Sequence, residues 1–179
     1  MATIQQVQIL DIATDASRLQ GLVALLQNSV DTGASVGFLA PLAAATATAY
    51  WQGVAQAIGQ HHVLWVAEQD DQVVGSVQLS ICAKENGRHR AEVQKLFVLD
   101  TQRGQGIARA LMDTLEAFAR SRQLSLLVLD TLAGTGAEQL YQRLDWQRVG
   151  EIPHYAADPF GAIFPTALYY KLLSPVVPA

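Results

Sequence analysis

Cysteine is nearly absent from this chain. Cys82 stands alone among 179 residues, which excludes an internal disulfide framework. Histidine is scarce as well: His61 and His62 are adjacent at a strand entrance, where their side chains diverge, and His89 and His154 stand alone. Nothing has the spacing of zinc ligands, so no metal is expected. Charged residues make up 16% of the chain, the net charge is −4, and lysines and arginines are scattered. No nucleic-acid partner is expected, since that usually requires a basic stripe. No run of about 18 uninterrupted apolar residues suggests a membrane span. The opening "MATIQQVQILD" lacks the basic and apolar regions of a signal peptide. With 50% apolar residues, the chain reads as a single domain over residues 1–179, with the cytosol as its default location.

What is present is an ordered alternation of helices and strands. "QVQIL" reads as a first strand, and "ASRLQGLVALLQNSV" places Leu19, Leu22, Leu25 and Leu26 at helical spacing. "PLAAATATAYWQGVAQAIGQ" reads as a helix with Pro41 in its first turn. "HVLWVAEQDDQVVGSVQLSIC" reads as a hairpin turning at Asp70 and Asp71. In its second arm Val77, Leu79 and Ile81 alternate with Ser76, Gln78 and Ser80, the pattern of a half-buried strand. Residues 90–98 form a strand and 107–122 an amphipathic helix. A strand at 125–130, "LSLLVLDT", is apolar enough to be covered on both faces. Strand, helix and strand make a βαβ crossover, which predicts a parallel pair. "AEQLYQRL", "WQRVGEI" and "AIFPTALYYKLL" complete the chain as helix, strand and strand. The fold class is α/β, with a mixed and mostly antiparallel sheet.

The join "LDTQRGQGIARALMDTLEAF" places Gly104 and Gly106 at a helix entrance, although glycine costs about 1 kcal/mol against alanine inside a helix. A plain turn is one reading. The better one is an anion site: small residues admit a ligand close to the backbone, the first-turn N–H groups carry partial positive charge, and Arg103 and Arg109 flank them. A P-loop lysine is missing. Gly-x-Gly-x-x-Gly fails at Arg109, and Glu92, Gln94 and Lys95 make the preceding strand too polar for a dinucleotide fold.

Arg103, Gly106 and Ala108 satisfy Arg/Gln-x-x-Gly-x-Gly/Ala, and "LFVLD" precedes this motif while "LYQRLDWQRVG" follows the next strand. In these features the chain resembles the GNAT superfamily of N-acetyltransferases. The resemblance implies acetyl-CoA as cosubstrate. Its pyrophosphate would lie on the loop Arg103, Gly104, Gln105, Gly106, Ile107, Ala108 and Arg109. It implies a splayed parallel pair, 90–98 and 125–130, with the main chain of Leu96, Phe97 and Val98 facing the pantetheine arm. An N–H of Phe97 or Val98 would polarise the thioester carbonyl. Transfer would be direct, leaving Cys82 a bystander. Tyr141 is the expected acid for the departing thiolate, and Glu92 or Asp130 the expected acceptor of the amine proton. By alternation Glu92 shares a face with Gln94 and Leu96.

The stretches "GASVGF", "VLWVAEQDD", "RAEVQKLFVL", "LLVLDT", "RVGEIPHYA" and "PTALYYK" are similar to the tabtoxin-resistance branch of that superfamily, whose members inactivate an amino acid toxin. This implies a small, amine-bearing, amino acid-like or antibiotic-like acceptor, with Ser35, Phe38, Gln94 and Tyr155 as substrate-side residues. "DPFGAIF", carrying Phe160 and Phe164, departs from that branch, which counts against the toxin itself as the acceptor. A protein or peptide acceptor and a non-catalytic CoA-binding sensor are the alternatives. Homodimers are common among such enzymes, and one is an expectation here.

Overall fold

The computed structural model describes residues 3–7 and 15–173. Seven strands form one sheet: β1 (Thr3–Val7), β2 (His62–Gln69), β3 (Gln72–Ile81), β4 (Arg90–Val98), β5 (Leu126–Leu132), β6 (Gln147–Ala157) and β7 (Ile163–Leu172). Their spatial order is β1-β2-β3-β4-β5-β7-β6. The helices are α1 (Ala16–Asp31), α2 (Ala44–Ala57), α3 (Ile107–Ser121) and α4 (Gly136–Arg143). β4 and β5 run parallel, and the other neighbouring pairs are antiparallel. The expected mixed sheet with one parallel pair is the observed architecture.

Local chemistry accounts for these elements. Asp15 caps α1 by accepting from the Arg18 N–H at 3.0 Å, and Leu22, Leu25, Leu26 and Val30 form its buried stripe. Asp70 and Asp71 both have positive φ, 51° and 59°, the paired left-handed geometry that a tight hairpin turn requires. Of the first predicted strand only Gln6 and Val7 lie in β1, and Gln8 to Leu10 lie outside the described residues. Pro41 does not enter a helical turn. Leu42 is buried, and its carbonyl accepts from Gln27 Nε2 at 2.8 Å. Ala43, extended at φ −64° and ψ 137°, is the N-cap from which α2 starts at Ala44.

The middle of the sheet, at β2 and β3, is covered on both faces. Trp65, Val77, Leu79, Val93 and Leu127 pack under Leu111, Met112 and Leu115 of α3. Leu64, Val66, Val73 and Phe97 pack under α1 and α2, around the fully buried Trp51. Two burial expectations therefore change places. β3 is buried on both faces, with Ser76 and Gln78 inside, because helices lie above and below it. β5 is only half-buried, because it borders an opening: Leu127 and Leu129 are buried while Asp130 is exposed.

Glu116 on α3 is buried with Lys171 Nζ at 2.7 Å and Arg120 at 3.1 Å, which ties this helix to β7. Among the described residues no helix is long and apolar enough to cross a membrane.

Candidate active site

β4 and β5 are joined by three rungs only: Arg90 with Leu126, Ala91 with Leu127, and Glu92 with Val128. Beyond them β4 bends. Its register with β3 slips between Ser76 and Gln78, and Lys95 adopts φ 53°. An extra residue of this kind bends a strand and increases its twist. The bulge also breaks the predicted alternation. Ala91 and Val93 face α3, but Leu96 and Val98, not Lys95, continue that face, so Leu96 leaves the face shared by Glu92 and Gln94. The strands part, and a cavity of about 1130 Å³ opens between them.

Two sides of β4 can be told apart in the gap. The Leu99 N–H donates to Val74 O at 3.0 Å on β3, so the Val98 N–H, one residue earlier, points the opposite way, into the opening. Phe97 turns its carbonyl toward Gly75 and buries its ring under the helices.

At one end of the cavity lies the glycine turn. Gly104 and Gly106 have φ of 78° and 82°, and a Cβ on either would meet only open space. Gly106 is the N-cap of α3 and offers no side-chain bond, and the first turn holds no acidic residue. The free N–H groups of that turn therefore face the cavity wall formed by Gly106, Ile107, Ala108 and Arg109. This arrangement fits a diphosphate. Arg103 is placed by bonds to Val98 O at 3.4 Å and Thr32 Oγ1 at 3.1 Å, and Arg109 lies 3.6 Å from Asp113. Gln105 is exposed, bonds Gln102 at 2.8 Å and does not line the cavity.

At the middle stands Tyr141 of α4. Its ring is buried against Trp146 and Tyr169, and it lines the cavity. Burial, and secondarily the charge of Asp130, push its pKa well above the ordinary tyrosine value. Asp130 lines the same cavity and accepts from Thr166 Oγ1 at 2.9 Å. Glu92, across the gap, accepts from Gln94 Nε2 at 2.9 Å.

The far wall comes from the loop after α1 and from Tyr155 and Ala156 of β6, and the loop is bonded to the end of β6 and to the turn beyond it. Ser35 Oγ donates to Ala157 O at 3.0 Å, and the Ala40 N–H to Pro159 O at 2.8 Å. Ser35, Gln94 and Tyr155 line the cavity. Phe38 does not; its ring meets Tyr50 edge-on at 5.4 Å. Among the lining residues not singled out as site candidates in the sequence are Thr32, Thr135, Thr166 and Lys95. Lys95 Nζ donates to Val36 O at 2.7 Å in the loop after α1. Its signal was present: the apolar face Ala91, Val93 skips one place at Lys95 before resuming at Leu96, as a bulge requires. Cys82 lies just past β3, away from the cavity. Among the described residues no group of three or more His, Cys, Asp or Glu could hold a metal ion.

A parted parallel pair whose gap runs into a glycine-capped helix defines a class of protein, and comparison agrees. Residues 34–146 match the model of the Acetyltransferase (GNAT) family, to which this chain belongs. N-acetyltransferase 8F1 of Rattus norvegicus is 38% identical over 96 residues, which are 52% of this chain and 43% of that protein. The match thus spans less than half the length of that relative. Among solved structures, an N-acetyltransferase from Staphylococcus aureus Mu50 superposes with a TM-score of 0.77 at 19% identity, covering 97% of this chain and 99% of that one. A GNAT superfamily phosphinothricin acetyltransferase from Sinorhizobium meliloti, solved in complex with AcCoA, superposes with a TM-score of 0.75 at 17% identity, covering 96% and 88%. At such identities these two structures attest the fold alone.

Proposed function

We propose that this protein is an acetyl-CoA-dependent N-acetyltransferase that moves the acetyl group directly to a small amine. The observation that carries this reading is the opening between β4 and β5, continuous with the glycine turn at the start of α3. Bound acetyl-CoA would supply an acetyl group already activated as a thioester. The first-turn N–H groups of α3, with Arg103 and Arg109, hold the diphosphate. The Val98 N–H of β4, turned into the opening, takes the place of a missing strand partner for the pantetheine arm, since buried amides need partners. The Val98 N–H then stands ready for the oxygen that gains charge during transfer. Tyr141 returns a proton to the thiolate, and Glu92 or Asp130 accepts one from the amine.

A small acceptor is supported by the wall that Ser35–Gly37 and Tyr155–Ala156 form, with Ser35 Oγ bonded to Ala157 O, which narrows that side of the opening. Calorimetric titration with acetyl-CoA, followed by a panel of small amines and peptides, tests the proposal. Binding with small-amine turnover is expected. Turnover of peptides alone would move the assignment to a protein N-acetyltransferase, and binding without any turnover to a CoA sensor. No binding, together with no effect of Arg103→Ala combined with Gly106→Glu, would end the acetyl-CoA reading.

A further inference from the structure

Lys95 brings a cation into the acceptor end of the cavity at a visible conformational cost. Its φ of 53° lies in the left-handed region, which residues other than glycine enter only at an energetic cost. The side chain is half-buried, and its hydrogen bond is to the carbonyl of Val36 at 2.7 Å. An ammonium has three donors, so the Val36 bond leaves two. Among the described residues Lys95 makes no ion pair: Glu92 on its own strand and Asp130 on β5 act on it only from a distance. Burial lowers its pKa and those two carboxylates oppose the change. A partly desolvated cation without a direct counter-ion is costly, and an anionic group placed beside it recovers that cost.

The pocket therefore presents both signs of charge. Glu92 and Asp130 suit an ammonium, and Lys95 suits an anion between them and the Ser35–Gly37 loop. A simple alkylamine satisfies the carboxylates but is repelled by Lys95. An acceptor with a carboxylate next to its amine complements all three.

We infer that Lys95 is a specificity-determining residue whose ammonium receives a carboxylate carried by the acceptor, so that the acceptor class is an amine with an adjacent carboxylate, such as a free α-amino acid or a derivative substituted on its side chain. This rests on the acetyltransferase reading of the same site.

The test uses matched probes that differ only in the carboxylate: L-phenylalanine with 2-phenylethylamine, and L-lysine with cadaverine. Each is assayed with acetyl-CoA on the wild type, Lys95→Met and Lys95→Arg. In the wild type, kcat/KM favours the carboxylate-bearing member of at least one pair by about tenfold or more, as a charge-assisted contact allows. Lys95→Met brings that ratio close to one, chiefly through the acceptor KM. Lys95→Arg keeps part of it, and acetyl-CoA affinity by calorimetry is the same in all three. Parity or preference for the decarboxylated member in the wild type overturns the inference. So does a preference that persists in Lys95→Met, or turnover of no probe while acetyl-CoA binds normally. If Lys95→Met fails to fold, the wild-type ratio decides. Failure of the wild type to bind acetyl-CoA strikes the acetyltransferase reading itself, and this inference falls with it.

Discussion

Glu92 faces Val128 in the last rung that joins β4 to β5, and past it the two strands are unpaired. The carboxylate of Glu92 thus stands where the sheet opens, with Asp130 two residues beyond Val128 on the other strand and both on the cavity wall. The β4 bulge at Lys95 lies three residues further on along the same strand, beside the opening.

Gly106 tests the anion site. Its φ of 82° disfavours any side chain, and the space around it is open, so Gly106→Glu places a negative charge at the start of α3 without a clash in the core. Acetyl-CoA affinity is expected to fall about tenfold or more, from charge repulsion at the helix N-terminus and loss of close backbone approach. Calorimetry measures this, and a circular dichroism spectrum like that of the wild type should accompany it. Unaltered affinity would remove the turn from the binding site.

Tyr141→Phe separates acid chemistry from packing, because the ring contacts with Trp146 and Tyr169 survive the change. kcat is expected to drop about tenfold or more while acetyl-CoA affinity holds. Since burial first, and Asp130 second, raise the hydroxyl's pKa, Tyr141 stays protonated through the physiological range. The kcat–pH profile of the wild type should therefore show no basic limb from this group below about pH 10. A kcat equal to that of the wild type in the variant would exclude Tyr141 from proton transfer.

Gly75 makes close packing measurable. A Cβ there would lie 2.9 Å from Phe97 O and 3.1 Å from Ile107 Cγ2, a backbone atom of β4 and the first residue of α3. Gly75→Ala should destabilise the protein by about 1–3 kcal/mol, as overpacking does, visible as a lower denaturation midpoint. Acetyl-CoA affinity should weaken in parallel, since the displaced groups border the cavity. A midpoint equal to that of the wild type would show that β3 and β4 can move apart without loss.

Glu138 gives a pH-dependent handle on stability. Its carboxylate accepts from Tyr169, from the Gly134 N–H at 2.7 Å and from Arg148 at 3.0 Å, and the Tyr169 bond is the main cause holding its pKa below the usual value. A carboxyl depressed on folding contributes stability that is complete above its unfolded pKa, about 4.3, and fades as pH falls through the lower folded value. Glu138→Gln should therefore lower Tm by a few degrees at pH 7, with the difference closing as the pH drops below about 4. A gap that is constant from pH 7 to pH 3 would contradict this.

Much of this was legible in the residues, and the failures have physical causes. Residues 90–98 and 107–121 were readable because a strand and an amphipathic helix carry their own periods. The glycine turn was readable as a turn into a helix, because Gly104 and Gly106 take positive φ that other residues avoid. Burial was not, since it depends on what covers each face: β3 looked half-exposed yet lies between two helical layers, and β5 looked doubly covered yet borders the gap. Leu96 was assigned to the wrong face because simple alternation cannot see a bulge. Phe38 was placed in the pocket by its neighbours in sequence, whereas its ring turns to Tyr50.

Amide hydrogen exchange with and without acetyl-CoA reads the opened strand most directly. Slower exchange is expected in two stretches only, residues 96–98 on β4 and 104–109 at the start of α3, with the Val98 amide strongly protected because its N–H otherwise faces the gap. If acetyl-CoA leaves both stretches exchanging at their unliganded rates, or protects amides elsewhere instead, the opening between β4 and β5 is not where it binds.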